Sequence, residues 1–199
     1  MKKNLQDHSF HINYTLMYDE AKDTIRVSDT IYLRAISPSD KERLILLAND
    51  PEMRKNLWDT MPFPYTSEDA DWWIEHSHSL SQKQKRRQYA IIIDNQYAGN
   101  IGRSNKQKWK RSHNFYFGYR LGRPYRWKGI MTQVVAIFMN HMFKTIPNCE
   151  RIYAKVAQWN TWSARVLEKN WCILEWTFQQ SIKREWKKYN ELIYAKLRP

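Results

Sequence analysis

At 199 residues, 42% of them hydrophobic, the chain is long enough to bury the core of one domain. No uninterrupted apolar run approaches the roughly 20 residues of a spanning helix, and Met1 to Asp7 turns polar without an apolar signal segment, so a cytoplasmic protein with no membrane contact is expected. With 33 basic against 20 acidic side chains the net charge is +13, and a polyanionic partner is worth considering.

Residues 1–29 read as an N-terminal extension, in which the alternation from Phe10 to Leu16 predicts a strand; the domain proper is read as residues 30–199. Ile31 to Ile36 is a first strand, and Ser37-Pro38-Ser39-Asp40 has the capping chemistry to open a helix running to Asn49. Thr66-Ser67-Glu68-Asp69 opens a second helix, its acidic residues suited to the positive end of the dipole. Gln88 to Ile93 and Gln96 to Ile101 flank Asp94-Asn95 as a hairpin, and His113 to Leu121 is a further strand.

Next comes Arg126-Trp127-Lys128-Gly129-Ile130-Met131-Thr132, between that strand and an amphipathic helix. The first turn of a helix carries unsatisfied N–H groups and the positive end of the macrodipole, so an anion is stabilised there without any side chain. Arg126 and Lys128 add charge, so the stretch reads as a phosphate loop or as an ordinary basic turn. The helix behind it is marked by Ile130, Val134, Val135, Phe138, Met139, Met142 and Phe143 and runs to about Lys144. Arg151 to Val156 is a strand and Asn160 to Lys169 a short helix, while Ile173 to Phe178 and Leu192 to Leu197 close the chain as strands. The predicted fold is α/β, a mixed, mostly antiparallel sheet of about seven strands with helices on both faces. Cys149 and Cys172 read as reduced packing residues.

The positive charge gathers in Lys83 to Arg87, Arg103 to Arg111, Arg120 to Lys128 and Lys183 to Lys188, each in or beside a predicted loop. Lys108-Trp109-Lys110-Arg111 and Arg184-Glu185-Trp186-Lys187 interleave rings with cations, which suits base stacking as well as a solvated basic face.

Tyr32-Leu33-Arg34, Leu47 to Glu52, Pro64 to Ala70, Gly118 to Gly122, Arg126 to Thr132, Asn160 to Asn170 and Tyr194 to Leu197, taken in order, resemble the GNAT superfamily of N-acetyltransferases, and within it the ribosomal-protein-alanine acetyltransferase branch. The match covers about residues 31–198. The resemblance implies a site for acetyl-CoA, used as a co-substrate without a metal, between the splayed ends of residues 115–121 and 151–157. The pantetheine arm would pair with the backbone of Tyr119, Arg120 and Leu121. The pyrophosphate would sit over the loop formed by Arg126, Trp127, Lys128, Gly129, Ile130, Met131 and Thr132, with Met131 where the family has a small residue. Asn160 would hydrogen-bond the cofactor arm and Ser163 would assist the thiolate leaving group; the two also read as a helix cap and its first turn. The chemistry implied is direct attack of a neutral amine on the thioester in one ternary complex. Some relatives carry a glutamate in the late strand that here reads Ser181-Ile182-Lys183-Arg184, which leaves Glu68, Glu175 or water to take the proton.

The chain departs from its relatives at Trp127, Trp162, Trp171, Trp176 and Trp186, where they commonly have glycine or another small residue. Glycine enters the left-handed region after a helix without the Cβ cost of roughly 1–2 kcal/mol, so either Trp171 bears that cost or Asn170 adopts the conformation. The acceptor implied is a primary amine, foremost the N-terminal amine of a ribosomal protein. A polyamine or antibiotic amine is a second reading, and a weakened, non-catalytic scaffold that contacts RNA or the ribosome through the basic loops is a third. Either a monomer or a homodimer is compatible. Trp58, Phe63, Tyr65 and Trp73 supply rings for an acceptor pocket or for the core.

Overall fold

The computed structural model describes residues 24–54, 56, 61–82, 86–104, 112–184 and 186–199. The strand expected over residues 10–16, Trp58, and the stretches 83–85 and 105–111 of the basic runs lie outside the described residues.

Strand β1 (Ile25–Arg26) pairs with β2 (Ile31–Ala35), so the sheet begins inside the span read as an extension. A 3-10 turn, Pro38–Asp40, leads into helix α1 (Lys41–Ala48). The Ser37 hydroxyl accepts the Ser39 N–H at 3.2 Å, and the Asp40 carboxylate accepts the Ser37 N–H at 2.9 Å. Arg34 grips the same buried carboxylate with two bonds of 2.7 Å, which makes the arginine of Tyr32-Leu33-Arg34 a brace for the helix start. A short helix that the sequence had not indicated, α2 (Pro51–Arg54), precedes α3 (Ser67–Gln82). Thr66 and Asp69 cap α3 reciprocally, as their spacing predicts.

β3 (Arg86–Ile93) and β4 (Gln96–Ser104) form the expected hairpin, with Asp94 at φ 50 and Asn95 at φ 60. Two left-handed residues are what a tight turn between twisted strands requires, and Asp and Asn tolerate that conformation best after glycine. β5 (Asn114–Leu121) adds antiparallel to β4, helix α4 (Ile130–Thr145) crosses over, and β6 (Arg151–Ala157) pairs parallel to β5. Helix α5 (Thr161–Lys169) then leads to the hairpin of β7 (Ile173–Arg184) and β8 (Lys187–Leu197). Among the described residues the sheet order is β1-β2-β3-β4-β5-β6-β8-β7, eight strands with a single parallel pair.

The last two strands are longer than expected, so that Lys183 and Arg184 at the end of β7 pair with Lys188 and Lys187 at the start of β8. A hairpin exposed on both faces has no apolar alternation to announce it, because its backbone bonds are met by its own partner strand.

Helices cover both faces. On one face α4 buries Met131, Val134, Val135, Phe138, Met139, Met142 and Phe143 against Phe117, Ile101 and Ile152, each side chain contributing about 1.5–3 kcal/mol relative to exposure. On the other face α1 and α3 pack Leu44, Leu47, Ala70 and Ile74 over Ala90 and Ile92. Cys149 and Cys172 are free and buried, packing residues as expected, and burial pushes both thiols up to about 11.

Helix α5 ends with the Cys172 N–H bonded to the Leu167 carbonyl and the Trp171 N–H to the Glu168 carbonyl, both at 3.0 Å. This is a Schellman closure with tryptophan in the glycine position: Trp171 takes φ 62 and Asn170 stays at φ −99.

Candidate active site

β5 and β6 keep register over Asn114–Arg151, Phe115–Ile152 and Tyr116–Tyr153, and then part. Beyond that point β5 pairs with β4 and β6 with β8, so two backbone edges face each other unpaired among the described residues. Backbone N–H and carbonyl groups left in this state need a partner, and an extended amide-bearing chain is the natural one. The opening, between residues 117–121 and 154–157, is the splay expected from the resemblance. It leads into a cleft of about 500 Å³ to which Phe117, Gly118, Tyr119 and Arg120 contribute from β5, Ala154 and Lys155 from β6, and Asn160 and Ser163 from the start of α5.

Gly129 caps α4 at φ 72, and among the described residues no side-chain cap bonds to the helix start. A Cβ at this position would meet nothing within 4 Å: the backbone needs glycine here, while the space before the helix is open. Among the described residues the N–H groups of the first turn, Ile130, Met131 and Thr132, have neither an intrahelical partner nor a side-chain cap, the condition in which an anion is stabilised. The side chains around them are spent differently than the sequence suggested. Arg126 turns inward, its Nε donating to the Leu121 carbonyl at 2.9 Å and its guanidinium lying 3.4 Å from the Asp50 carboxylate, so it braces the loop. Lys128 is the exposed cation of the loop. Met131 is buried in the core, while Ile130 and Thr132 are half-buried.

Asn170, which the sequence did not single out as more than a helix end, is buried and ties the C-terminal end of α5 to the head of α4. Its Nδ2 donates to the Thr132 carbonyl at 3.1 Å and to the Val166 carbonyl at 2.8 Å. Trp127 sits at φ 69, 66% exposed, with its ring edge-on to Trp162 at 3.8 Å between centroids. The Arg165 guanidinium lies 5.4 Å over that second ring.

Ser163 and Tyr119 meet across the splay, their hydroxyls 2.9 Å apart. The Tyr119 hydroxyl also donates to the Ser163 backbone carbonyl at 3.2 Å, and in the hydroxyl pair either group can be the donor. Burial pushes the Tyr119 phenol well above its ordinary range, opposed by its bond to Ser163, so it remains a neutral donor. With the phenol proton on the Ser163 carbonyl the serine hydroxyl donates to Tyr119, and with it turned to Ser163 Oγ the serine proton is free for a third atom in the cleft. Asn160 accepts the Ser163 N–H at 3.2 Å, capping α5, and lines the same cleft.

Neither glutamate named as a base lines the cleft. Glu68 is exposed in the first turn of α3, where hydrogen bonds from its own backbone and from Thr66 hold its carboxyl below the usual range. Glu175 is on β7, paired with Arg151. Among the described residues the lining carboxylate is Asp69, whose Oδ2 accepts the Thr66 N–H at 2.8 Å. Its signal in the sequence was spacing, since Asp69, Trp72 and Trp73 share a helix face and all three line the cleft. Tyr65 and Trp73 line the cleft and also pack with the core cluster beneath α1 and α3, whereas Phe63 is exposed under the Arg54 guanidinium.

Among known proteins, the family described as Acetyltransferase (GNAT) domain matches residues 30–170. No curated protein sequence matches. Among solved structures, RimL, a ribosomal L7/L12 alpha-N-protein acetyltransferase in complex with coenzyme A, is similar with a TM-score of 0.79 at 23% identity, over 88% of this chain and 98% of that one. The microcin C7 self-immunity acetyltransferase MccE, in complex with acetyl-CoA and AMP, is similar at 0.74 and 24%, over 86% and 94%. The ribosomal-protein-S5-alanine acetyltransferase of Vibrio fischeri is similar at 0.72 and 21%, over 86% and 94%. With the family matched over most of the chain and the fold shared with these enzymes, this protein belongs to the GNAT acetyltransferase family.

Proposed function

We propose that the protein moves the acetyl group of acetyl-CoA to a primary amine, foremost the N-terminal amine of a protein such as a ribosomal protein, by direct transfer in a ternary complex. The observation that carries this is the opening between β5 and β6, with the bare head of α4 at one side and the Tyr119–Ser163 hydroxyl pair at the other. The unpaired strand edges offer hydrogen bonds to the two amides of a pantetheine arm, and the helix head with Lys128 offers a seat to its pyrophosphate.

In the reaction the amine nitrogen forms a bond to the acetyl carbon as the carbon–sulfur bond breaks. The Ser163 hydroxyl, backed by Tyr119, gives a proton to the departing thiolate, and the amine proton leaves through water or through Asp69. Two of the structural neighbours are acetyltransferases of ribosomal proteins, which supports the acceptor class. The MccE neighbour, crystallised with acetyl-CoA and AMP, supports a small-molecule amine as the second reading, and the Trp72 and Trp73 walls of the cleft would suit a flat acceptor.

Calorimetric titration with acetyl-CoA, followed by an acceptor panel read by mass change and free thiol release, tests the proposal. Turnover of peptides but not of polyamines is the expected result. Absence of cofactor binding at millimolar concentration would sink the enzyme reading and leave RNA binding, which should weaken steeply with salt.

A further inference from the structure

The acceptor half of the cleft has a floor made by one face of β3, β4 and β5. Register sets Asn100 opposite Arg120 and Ser104 opposite Tyr116, with Gly102 and Gly118 facing each other between them. The two ends therefore stand four residues, roughly 13 Å, apart. A side chain at Gly102 would collide with Gln88, and a Cβ at Gly118 would come within 3.3 Å of the Tyr116 hydroxyl. The paired glycines let the Gln88 amide and the Tyr116 ring lie along the strands, which keeps the trough open.

The charges of this floor are unevenly matched. Arg120 donates its Nε to Asn100 Oδ1 and sets Nη1 at 2.8 Å from the sulfur of Met61, a weak acceptor. Tyr65 and Tyr97 stand beside it, and burial pushes Tyr65 up to about 12 and Tyr97 upward as well, so both are neutral near pH 7. Among the described residues no carboxylate pairs with Arg120. The other charges of the cleft are engaged: Lys155 lies 3.1 Å from Glu191, Asp69 holds the Thr66 N–H, and Arg103 lies over the ring of Phe115. A half-buried guanidinium with neutral partners alone loses solvation without an ionic gain, which an arriving anion would restore. At the far end Ser104 is 7% exposed and its hydroxyl has no partner among the described residues, a second polar group inside the same cleft.

We infer that the amine acceptor carries a carboxylate close to its reacting nitrogen, received by Arg120, while Ser104 bonds a polar group further along the acceptor. This rests on the acetyltransfer reading and narrows its substrate class to acidic amines. The form that fits a trough of this length is a peptide N-terminus with Asp or Glu within its first three residues. A free amino acid could present the same chemistry through its α-carboxylate.

The test compares amidated peptides beginning Ser-Asp-Ala, Ser-Ala-Asp, Ser-Asn-Ala and Ser-Lys-Ala, together with serine and serinamide, in acetyl-CoA-dependent acetylation. The expected result is a kcat/KM for an Asp peptide about tenfold or more above its Asn counterpart, mostly through KM. Arg120→Gln should collapse that ratio to within about twofold and Arg120→Lys should restore part of it, a selectivity that a purely structural arginine would not move. A preference for serine over both Asp peptides would reassign the carboxylate to a free amino acid and overturn the peptide form. Equal turnover of Asp and Asn peptides, or a preference that survives Arg120→Gln, overturns the proposal. If acetyl-CoA binds and no peptide turns over, calorimetry with CoA and the N-acetylated Asp and Asn peptides decides: equal or absent binding of the pair refutes a carboxylate site. Loss of acetyl-CoA binding itself would instead refute the transferase reading.

Discussion

Trp171→Gly should stabilise this protein. The indole is 82% exposed, so its removal gives up little buried area, and the residue is held at φ 62 by the two hydrogen bonds that close α5. A left-handed residue with a Cβ costs roughly 1–2 kcal/mol, and glycine returns about 0.5–1 kcal/mol of that as extra freedom in the unfolded chain. The net gain is about 0.5–1 kcal/mol, or a rise in Tm of about 1–4 °C for a domain of this size. Thermal unfolding followed by circular dichroism, with urea titration as a second measure, reads the difference. Trp171→Ala keeps the left-handed cost and should show no gain, whereas Trp171→Asn should fall between. Trp176→Gly is the control: that ring is 62% exposed on β7 but its φ is not positive, so glycine there should lower stability slightly. The reasoning fails if Trp171→Gly lowers Tm, or if Trp171→Ala raises it equally, since either would mean that the ring and not the backbone sets the balance.

Asp50→Asn removes the partner of Arg126 and should cost about 1–3 kcal/mol of stability while raising KM for acetyl-CoA more than it lowers kcat; unchanged stability and unchanged KM together would refute the role of Arg126 as a brace. Ser163→Ala should lower kcat about tenfold to a hundredfold with little change in acetyl-CoA binding, and Tyr119→Phe should lower it less; an unaltered kcat in Ser163→Ala removes the serine from the chemistry. Cys149 and Cys172 should resist a thiol reagent at pH 8 in the folded protein and react fully in denaturant, because burial holds both thiols near 11. Their raised values favour the folded state fully below the ordinary thiol range near 9, and this contribution is lost as the pH rises toward about 11. Urea midpoints at pH 7, 9 and 10.5 should therefore fall in that order, and a midpoint that rises with pH contradicts the sign.

Much of the fold was legible in the sequence because it rests on local chemistry. Ser37 with Asp40 and Thr66 with Asp69 cap their helices through bonds three residues apart, Asp94-Asn95 turns a hairpin by tolerating positive φ, and α4 shows its buried face at three- and four-residue steps. Trp171 is of the same kind: once a helix ends there, the left-handed residue must be the tryptophan or its neighbour, and only the hydrogen bonds of the closed end selected between them.

The site was legible less evenly. The loop from Arg126 to Thr132 could be recognised by its glycine and its place before a helix, yet the direction of Arg126 depended on Asp50, a residue 76 positions earlier in the chain, which no local pattern relates to it. Glu68 and Glu175 were plausible by residue type alone, whereas spacing put Asp69 on one helix face with Trp72 and Trp73, and laying α3 over the sheet turned that face into the cleft. The Tyr119–Ser163 pair and the Arg120 floor likewise need β5, α5 and β4 brought together from distant segments. The sequence by itself determined the elements, their caps and their order, since these follow from interactions within a few residues. The tertiary structure alone decided which charges are spent on bracing and which remain for a substrate, because burial and pairing arise only between elements far apart in the chain.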